Sequence, residues 1–309
     1  MEAVYFDGEK AVYRKDYPKP TTQEGESLIR ILVSAVCSTD REILKGYFAG
    51  FKGVMGHEFV GIVEESRQKQ LLGKRVVGEI NLNCGECVYC QSQRERHCEN
   101  RSTLGIYEKD GCFAQYITLP NHLLHLVPHE LENEVAVFTE PLAAAVEIPS
   151  KVHIDPEQNI AIIGDGRLSF LITQVLSLSG AELTVVGKHS HKLNKFKPYA
   201  NISKEPRGKY EYVVEATGNR EGLLIAKELV RSAGTIITKS TYNGKIELDM
   251  SRFVVDEITL VGSRCGDFSA ALNLLQRKLI DLPQIKLYNL KDYKDAFETD
   301  AFKAGFVFE

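Results

Sequence analysis

Four of the seven cysteines lie close together in the chain, at Cys84, Cys87, Cys90 and Cys98. The short spacers allow one loop to bring four thiolates around a single tetrahedral Zn²⁺ ion. Such a set leaves no coordination position open for a substrate, so the sequence predicts a structural zinc site. Four unconnected or redox-active cysteines are the alternative interpretation, and the metal-type spacing argues against it.

A second set of potential ligands is spread along the chain. Cys37, His57, Glu58 and Glu140 offer one thiol, one imidazole and two carboxylates, which could bind zinc and leave a position for a substrate. Spacing alone does not join them, because a lone cysteine after an apolar strand is usually a core residue. A lone histidine is usually a hydrogen-bonded polar residue. The residue types therefore permit a catalytic metal site without establishing one.

A glycine-rich segment follows a short apolar strand at 159–164 and opens a helix. It reads Gly164, Asp165, Gly166, Arg167, Leu168 and Ser169. The first glycine allows a tight turn, and the second lets the backbone approach a pyrophosphate at the helix N-terminus. Ser169 replaces the usual third glycine, and taken alone the segment could be an ordinary strand–helix turn. With the surrounding pattern of strands and helices, it predicts a dinucleotide site.

The segment after the next strand bears on the choice of cofactor. NAD enzymes of this type place an acid about 20 residues after the first glycine, to bind the ribose hydroxyls. Here that position is Gly187, followed by Lys188, His189 and Ser190. Without an acid to repel a 2′-phosphate, and with these donors present, the sequence predicts that NADP is preferred over NAD. A solvated loop is the alternative.

The secondary structure that must position these residues differs between the first and second parts of the chain. Residues 1–140 read as short strands and turns, with β-rich segments at 27–36, 60–65 and 74–80, which predicts an irregular, mostly β domain. From residue 142 short apolar strands alternate with helices, the pattern of parallel βαβ units. The strands fall at 159–164, 182–187, 211–216, 234–240 and 257–262, and the helices at 167–180 and 221–231. The segment 267–309 predicts one helix and a last strand that return to the first domain.

Composition excludes several classes of protein. The 309 residues carry a formal net charge of −4 with no long basic run, which argues against nucleic-acid binding. No apolar stretch reaches about 18 residues, so we expect no membrane-spanning helix. The N-terminus lacks the basic start and apolar core of a secretory signal. Together with the odd number of cysteines, this predicts a cytoplasmic protein.

Five segments carry a family resemblance, in the family's order and at its approximate distances: CSTD (37–40), GHEFVGIVEE (56–65), CGECVYCQSQRERHC (84–98), EPLA (140–143) and GDGRLS (164–169). With them the chain resembles the zinc-containing medium-chain alcohol dehydrogenases of the medium-chain dehydrogenase/reductase family. It is most similar to the branch of glucose, polyol and threonine dehydrogenases. The resemblance implies an α/β fold with a Rossmann-type, doubly wound parallel sheet at 142–262. A GroES-like, mostly β catalytic domain would comprise 1–141 and 263–309.

The resemblance also assigns roles to residues. Cys37 and His57 match the family's two nearly constant ligands of the catalytic zinc, and Glu58 and Glu140 match carboxylates that bind it directly or through water. Thr39 matches the hydroxyl that hydrogen-bonds the substrate oxygen. Asp40 matches a carboxylate that orients the ligands. Glu42 occupies the place where animal alcohol dehydrogenases have the histidine that ends the proton relay. The remaining matches are to cofactor contacts, at Thr217, Gly218 and Arg264.

The implied function is hydride transfer between an alcohol, polyol or sugar and a nicotinamide cofactor. Two zinc ions per chain, one catalytic and one structural, are implied with it, as are a small-molecule substrate and a homo-oligomer, either a dimer or a tetramer. A threonine-type dehydrogenase is the alternative within the class. A non-catalytic zinc-binding member of the fold is the alternative from another class. A zinc-free quinone reductase is disfavoured, because such relatives lack the ligands.

Overall fold

A computed structural model describes residues 1–46, 50–241 and 245–308 of the chain. The chain divides into two compact units. Unit 1 comprises Met1–Glu140 and Phe268–Glu309, and unit 2 comprises Pro141–Asp267. No helix in the described ranges is both long and apolar enough to cross a bilayer.

The strands are numbered in chain order: Ala3–Phe6 (β1), Ala11–Arg14 (β2), Glu26–Ala35 (β3), Gly53–Val54 (β4), Glu58–Ser66 (β5), Arg75–Gly78 (β6), Asn81–Leu82 (β7), Ser102–Leu104 (β8), Glu108–Lys109 (β9), Tyr116–Pro120 (β10), Leu124–Leu126 (β11), Asn159–Ile163 (β12), Glu182–Val186 (β13), Asn201–Ser203 (β14), Tyr210–Glu215 (β15), Val230–Thr238 (β16), Thr259–Gly262 (β17), Ile285–Tyr288 (β18) and Lys303–Val307 (β19).

The α-helices are numbered in the same way: Ser38–Leu44 (α1), Val88–Gln91 (α2), Asn133–Ala136 (α3), Thr139–Lys151 (α4), Arg167–Ser177 (α5), Ser190–Leu193 (α6), Arg220–Leu229 (α7), Met250–Val255 (α8), Phe268–Gln276 (α9) and Tyr293–Glu298 (α10). Single turns of 3₁₀ helix lie at Lys69–Leu71, Glu95–His97, Asn121–Leu123, Asn194–Phe196 and Leu290–Asp292.

Unit 1 is built around a seven-stranded sheet with β3 at its centre. The strand order is β11-β6-β5-β3-β19-β18, and β10 also pairs with β3. Strands β18 and β19 run parallel, whereas β3 pairs antiparallel with β5, β10 and β19. Alternating apolar residues of β3 face a core in which the Phe113 ring packs edge-on against Phe306, with ring centroids 4.9 Å apart.

The register of this sheet brings three distant parts of the chain to one end of it. Ala35, the last residue of β3, pairs with Glu58 at the start of β5 and with Gly305 near the start of β19. Cys37 follows β3 after one further residue, and Lys303 is the first residue of β19. Residues at 37, 57–58 and 303 therefore meet at this end of the sheet, although no sequence spacing connects them.

Unit 2 contains one parallel sheet of six strands, in the order β14-β13-β12-β15-β16-β17. Four of the five residues of its central strand β12 are buried, as expected of a strand covered on both faces. The order extends in both directions from β12, which is the arrangement of a doubly wound dinucleotide-binding sheet. The predicted fold class, a doubly wound parallel sheet with a second, mostly β unit, is confirmed.

The C-terminal segment differs from its prediction. The sequence predicted one helix there, and the structure has two, α9 and α10, together with two strands. Helix α10 has six residues and buries only Ala296 and Phe297, so it is too short to show a helical period in the sequence. Strand β18 forms by parallel pairing with β19, a contact that local sequence does not encode.

Candidate functional sites

The four clustered cysteines converge in unit 1, as the ligands of one tetrahedral ion must. The Sγ atom of Cys90 lies 3.5 Å from that of Cys87 and 4.0 Å from that of Cys84, and Cys84 and Cys98 are 3.5 Å apart at sulfur. Four sulfurs at about 2.3 Å from one zinc lie about 3.8 Å from each other. The four thiols therefore fit a zinc ion, and they leave no coordination position for a substrate.

The surrounding backbone favours thiolates in part of this cluster. N–H groups of Glu99 and Cys90 donate to Cys87 and lower its pKa to about 6. Backbone hydrogen bonds from Glu86 and Cys87 also lower the pKa of Cys84. Burial instead raises the pKa of Cys90 to about 11. A cation binding at the centre would compensate the charge of all four thiolates.

Removing one of these sulfurs tests the cluster. We expect Cys90→Ser to bind less zinc and to unfold at a markedly lower temperature, because metal binding at a structural site is coupled to folding. Cys265→Ser, outside the cluster, serves as the matched control and should keep both properties. Metal analysis measures the zinc content and thermal unfolding measures the stability. Full zinc content with unchanged stability in Cys90→Ser would rule the site out.

The second candidate metal site also forms within unit 1. Ligand atoms of Cys37, His57 and Glu58 all lie within 4.8 Å of one another. Gly56 sets the position of His57, because its φ of +92° is accessible mainly to glycine and a Cβ there would overlap the ring of Phe113. A thiol, an imidazole and a carboxylate so close together are a donor set that suits zinc.

Asp40, in the first turn of α1, contacts two of these three residues. One carboxylate oxygen accepts a hydrogen bond from the N–H of Cys37 at 2.8 Å, and the other lies 3.4 Å from Nδ1 of His57. Burial by itself lowers the pKa of His57, but Asp40 and Cys37 raise it, and the net pKa is well above the usual value. Asp40, which is fully buried, thus holds the backbone of Cys37 and lies against the ring of His57.

The carboxylate of Glu58 is fully buried and has one strong partner. Its Oε2 atom accepts a short hydrogen bond from Nζ of Lys303, which is buried as well. Within the part of the chain that the structure describes, Oε1 has no hydrogen-bond partner. A buried carboxylate oxygen without a partner is costly, and a cation beside Cys37 and His57 would remove that cost. The observed arrangement therefore fits a metal ion.

Three more residues predicted for this site have different surroundings. Oγ1 of Thr39 lies 3.7 Å from Sγ of Cys37, directly beside the candidate metal position. Glu42 pairs with Lys45 at 2.8 Å on the exposed side of α1. Glu140 lies in the first turn of α4. Among the described residues, it is not part of the ligand cluster that Cys37, His57 and Glu58 form. The roles of Glu42 and Glu140 stay predictions.

The glycine-rich loop of unit 2 has the form that the sequence predicted. Gly164 has a φ of +126°, and a Cβ there would lie 2.7 Å from the carbonyl oxygen of Ala216. Gly166 caps α5, and no atom lies within 4 Å of the place where its Cβ would be. Arg167 and Leu168 open the helix, and the buried Ser169 donates a hydrogen bond to Ala216. The open helix N-terminus suits a phosphate group.

The loop after β13 makes contacts that the sequence did not predict. Nζ of Lys188 pairs with Oε2 of Glu221 at 2.8 Å, and Nδ1 of His189 lies 3.0 Å from Oδ2 of Asp165. Ser190 begins helix α6. The two predicted donors nearest to Gly187 are therefore each engaged by a carboxylate.

The other predicted cofactor residues follow the carboxyl ends of β15 and β17. The N–H and Oγ1 of Thr217 both donate to Oε1 of Glu215, at 2.6 Å. Gly218 donates its N–H to Oγ of Ser240. The carbonyl of Arg264 accepts a hydrogen bond from Lys239. Ligands of doubly wound sheets bind outside the carboxyl ends of the strands, so these positions suit a cofactor.

Sequence analysis missed two buried residues beside the candidate metal site. Lys303 holds Glu58, and the thiol of Cys112 donates to the carbonyl oxygen of Glu58. The signal for Lys303 is a single lysine within the otherwise apolar C-terminal strand. Cys112 gives no such signal, since a lone cysteine is usually a small core residue.

Comparison with known families agrees with the observed fold. The family model for the alcohol dehydrogenase GroES-like domain matches residues 23–129, which lie within unit 1. This confirms the GroES-like character predicted for the mostly β part of the chain.

Known proteins similar to this chain match nearly its full length. A D-arabitol-phosphate dehydrogenase of Enterococcus avium is 28% identical and covers 92% of this chain and 89% of its own length. A sorbitol dehydrogenase of Halalkalibacterium halodurans is 27% identical, with coverages of 99% and 96%. The solved structure of alcohol dehydrogenase TADH from Thermus sp. ATN1 superposes with a TM-score of 0.90 at 23% identity, covering 99% of both chains.

Proposed function

Because the chain belongs to the medium-chain dehydrogenase/reductase family, we propose that it is a zinc-dependent dehydrogenase acting on a polyol, sugar or related alcohol. It transfers a hydride between this substrate and a nicotinamide dinucleotide. The observation that carries the proposal is the convergence of Cys37, His57 and Glu58 beside the Thr39 hydroxyl. The polyol dehydrogenases among its relatives support the substrate class.

Cys37, His57 and Glu58 would hold the catalytic zinc, with Glu140 as a further direct or water-bridged ligand. Zinc bound there supplies a Lewis acid, which lowers the pKa of an alcohol and prepares it to lose a hydride. The four-cysteine cluster would hold a second, structural zinc. Asp40 keeps Cys37 and the His57 ring in place, and the buried Lys303 fixes the carboxylate of Glu58.

Thr39 handles the proton in this proposal. Its hydroxyl lies beside Cys37 and can accept the proton of a substrate hydroxyl while donating its own onward. Glu42, in the same helix, is proposed as a later member of that route, although its carboxylate pairs with Lys45 in the structure.

The glycine-rich loop and the N-terminus of α5 would bind the cofactor pyrophosphate. The sequence predicts that NADP is preferred, because position 187 lacks an acidic residue and the three residues after it can donate hydrogen bonds to a 2′-phosphate. The contacts of Lys188 with Glu221 and of His189 with Asp165 weigh against that preference. NADP selectivity therefore stays a prediction, and the contacts of Asp165 lead to a different one below.

Two further points belong to the proposal. A cytoplasmic location is proposed from the odd number of cysteines and the metal-type spacing of four of them. A homo-oligomer, dimer or tetramer, is proposed from the family resemblance.

A substrate panel tests the proposed function. Polyols, polyol phosphates, aldoses, secondary alcohols and L-threonine are each incubated with NAD or NADP, and formation of the reduced cofactor is followed. We expect turnover with at least one polyol or sugar. Cys37→Ser should reduce it at least about a hundredfold, since Lewis-acid stabilisation contributes several kcal/mol. Full turnover by Cys37→Ser would refute the zinc mechanism, and inactivity of the wild type across the panel would favour a non-catalytic protein.

A further inference from the structure

Space beside Gly187 is filled by a carboxylate from another loop. A Cβ built on Gly187 would lie 2.7 Å from Cβ and 2.8 Å from Oδ2 of Asp165. Its backbone is not in the left-handed region, so the neighbouring side chains, not the chain conformation, exclude a larger residue here. Asp165 is the second residue of the glycine-rich loop. Its carboxylate thus occupies the space into which an acidic side chain at 187 would extend.

Asp165 is held firmly in that place. Its Oδ2 atom accepts hydrogen bonds from the N–H groups of Lys188 and His189, at 2.9 and 2.7 Å. Although burial raises its pKa, the N–H and ring of His189 lower it, and the net pKa is below the usual value. The group therefore carries a full negative charge at neutral pH. Its Oδ1 atom makes only a longer contact, 3.2 Å to Nδ1 of His189, and so keeps capacity to accept another hydrogen bond.

We propose that Asp165 replaces the missing acid at position 187: its carboxylate binds the hydroxyls of the adenosine ribose and makes the site select NAD over NADP. The assignment rests on the proposed function only in requiring that unit 2 binds a nicotinamide dinucleotide. It reverses the preference predicted from sequence, because that prediction considered an acid at the end of β13 and not one supplied by the glycine-rich loop.

The charges around the loop agree with this assignment. Among the four side chains in contact here, only Lys188 is permanently cationic, and it is paired with Glu221. Asp165 and Glu221 thus lie on either side of Lys188, the charge of Lys192 acts on Asp165 as well, and His189 adds a further positive charge only when it is protonated. A 2′-phosphate would have to displace Glu221 from Lys188 and would still lie beside Asp165. A ribose hydroxyl needs only the acceptor that Oδ1 offers.

A charge swap tests the assignment sharply. Asp165→Gly removes the carboxylate. The double variant Asp165→Gly/Gly187→Asp restores a carboxylate, now at the position where NAD enzymes of this fold normally carry it. Gly187→Asp alone places two carboxylates in one space and should weaken binding of both cofactors. Asp165→Asn keeps an oxygen for the N–H groups of the loop and removes only the charge. Glu157→Gln, an exposed change before the amino end of β12, is the matched control.

Direct binding of NADH and NADPH, followed by their fluorescence, is the measurement. We expect the wild type and Glu157→Gln to bind NADH at least about tenfold more tightly than NADPH. Asp165→Gly and Asp165→Asn should shift this ratio toward NADPH by about 10- to 150-fold, the range for loss of one charge-assisted hydrogen bond. The double variant should recover most of the preference for NADH.

Three results separate the possible failures. A wild type that binds NADPH as tightly as NADH would overturn the assignment and leave the proposed function intact. A ratio of NADH to NADPH affinity that is unchanged in both Asp165→Gly and Asp165→Asn would likewise overturn the assignment and leave the proposed function intact. Failure of both nucleotides to bind the wild type would overturn the proposed function and this assignment with it.

Discussion

Thr39→Val is expected to lower kcat by about 10²–10⁴-fold, the usual contribution of a positioned proton-transfer group. Valine keeps the shape of threonine and removes the hydroxyl that lies 3.7 Å from Sγ of Cys37. Because zinc in proteins is bound by cysteine, histidine and carboxylate side chains and not by a threonine hydroxyl, the zinc content should not change. Steady-state kinetics with the best substrate of the panel, together with metal analysis, measure both quantities.

Thr39→Ser is the control for this prediction, since it restores a hydroxyl at the same position and should recover most of the lost turnover. If the valine variant turns over at the wild-type rate, Thr39 has no part in proton transfer. If it loses zinc together with activity, its effect is structural and the proposed role fails as well.

Lys303→Met is expected to cause a large loss of stability. Lys303 and Glu58 have side chains that are 4% and 1% exposed, and they bond to each other. Removing one partner leaves a buried charge uncompensated, which costs about 3–5 kcal/mol in free energy of unfolding. Urea unfolding of the wild type and the variant gives this difference.

The double variant Lys303→Met/Glu58→Gln separates loss of the ion pair from loss of packing. Removing both charges should recover most of the lost stability, because neither member of the pair is then left as an uncompensated charge. A drop of less than about 1 kcal/mol in the single variant would show that the pair is better hydrated than the structure indicates. The double variant should also bind less zinc at the catalytic site, since Glu58 is a proposed ligand.

Much of the fold could be predicted from local sequence. Strands β12 and β13 are short apolar runs that end before a glycine, and they and β17 fall close to where the sequence placed them. The short strand β14, which is not an apolar run, was not predicted. β16 begins at Val230, earlier than predicted. The sequence did not indicate this start because the three residues after Val230 are exposed and do not continue an apolar run. The four clustered cysteines were equally predictable, since their spacing is itself the signal.

The candidate catalytic site was predictable only through family resemblance. Sheet register, and not spacing, brings Cys37 to His57 and Glu58, and register depends on pairing between distant strands. The same holds for Lys303, which reaches Glu58 from the other end of the chain. At the cofactor loop, the sequence showed an acid missing at 187, and only the structure showed Asp165 in its place.

The central claim is that the Cys37, His57 and Glu58 site holds a zinc ion required for dehydrogenation. The most direct measurement is turnover of the best polyol substrate before and after a chelator removes the labile zinc, with the zinc content measured in parallel. The account predicts that activity disappears while the zinc of the four-cysteine cluster remains, and that Zn²⁺ alone restores it. Activity that persists undiminished after the labile zinc has been removed would contradict the account.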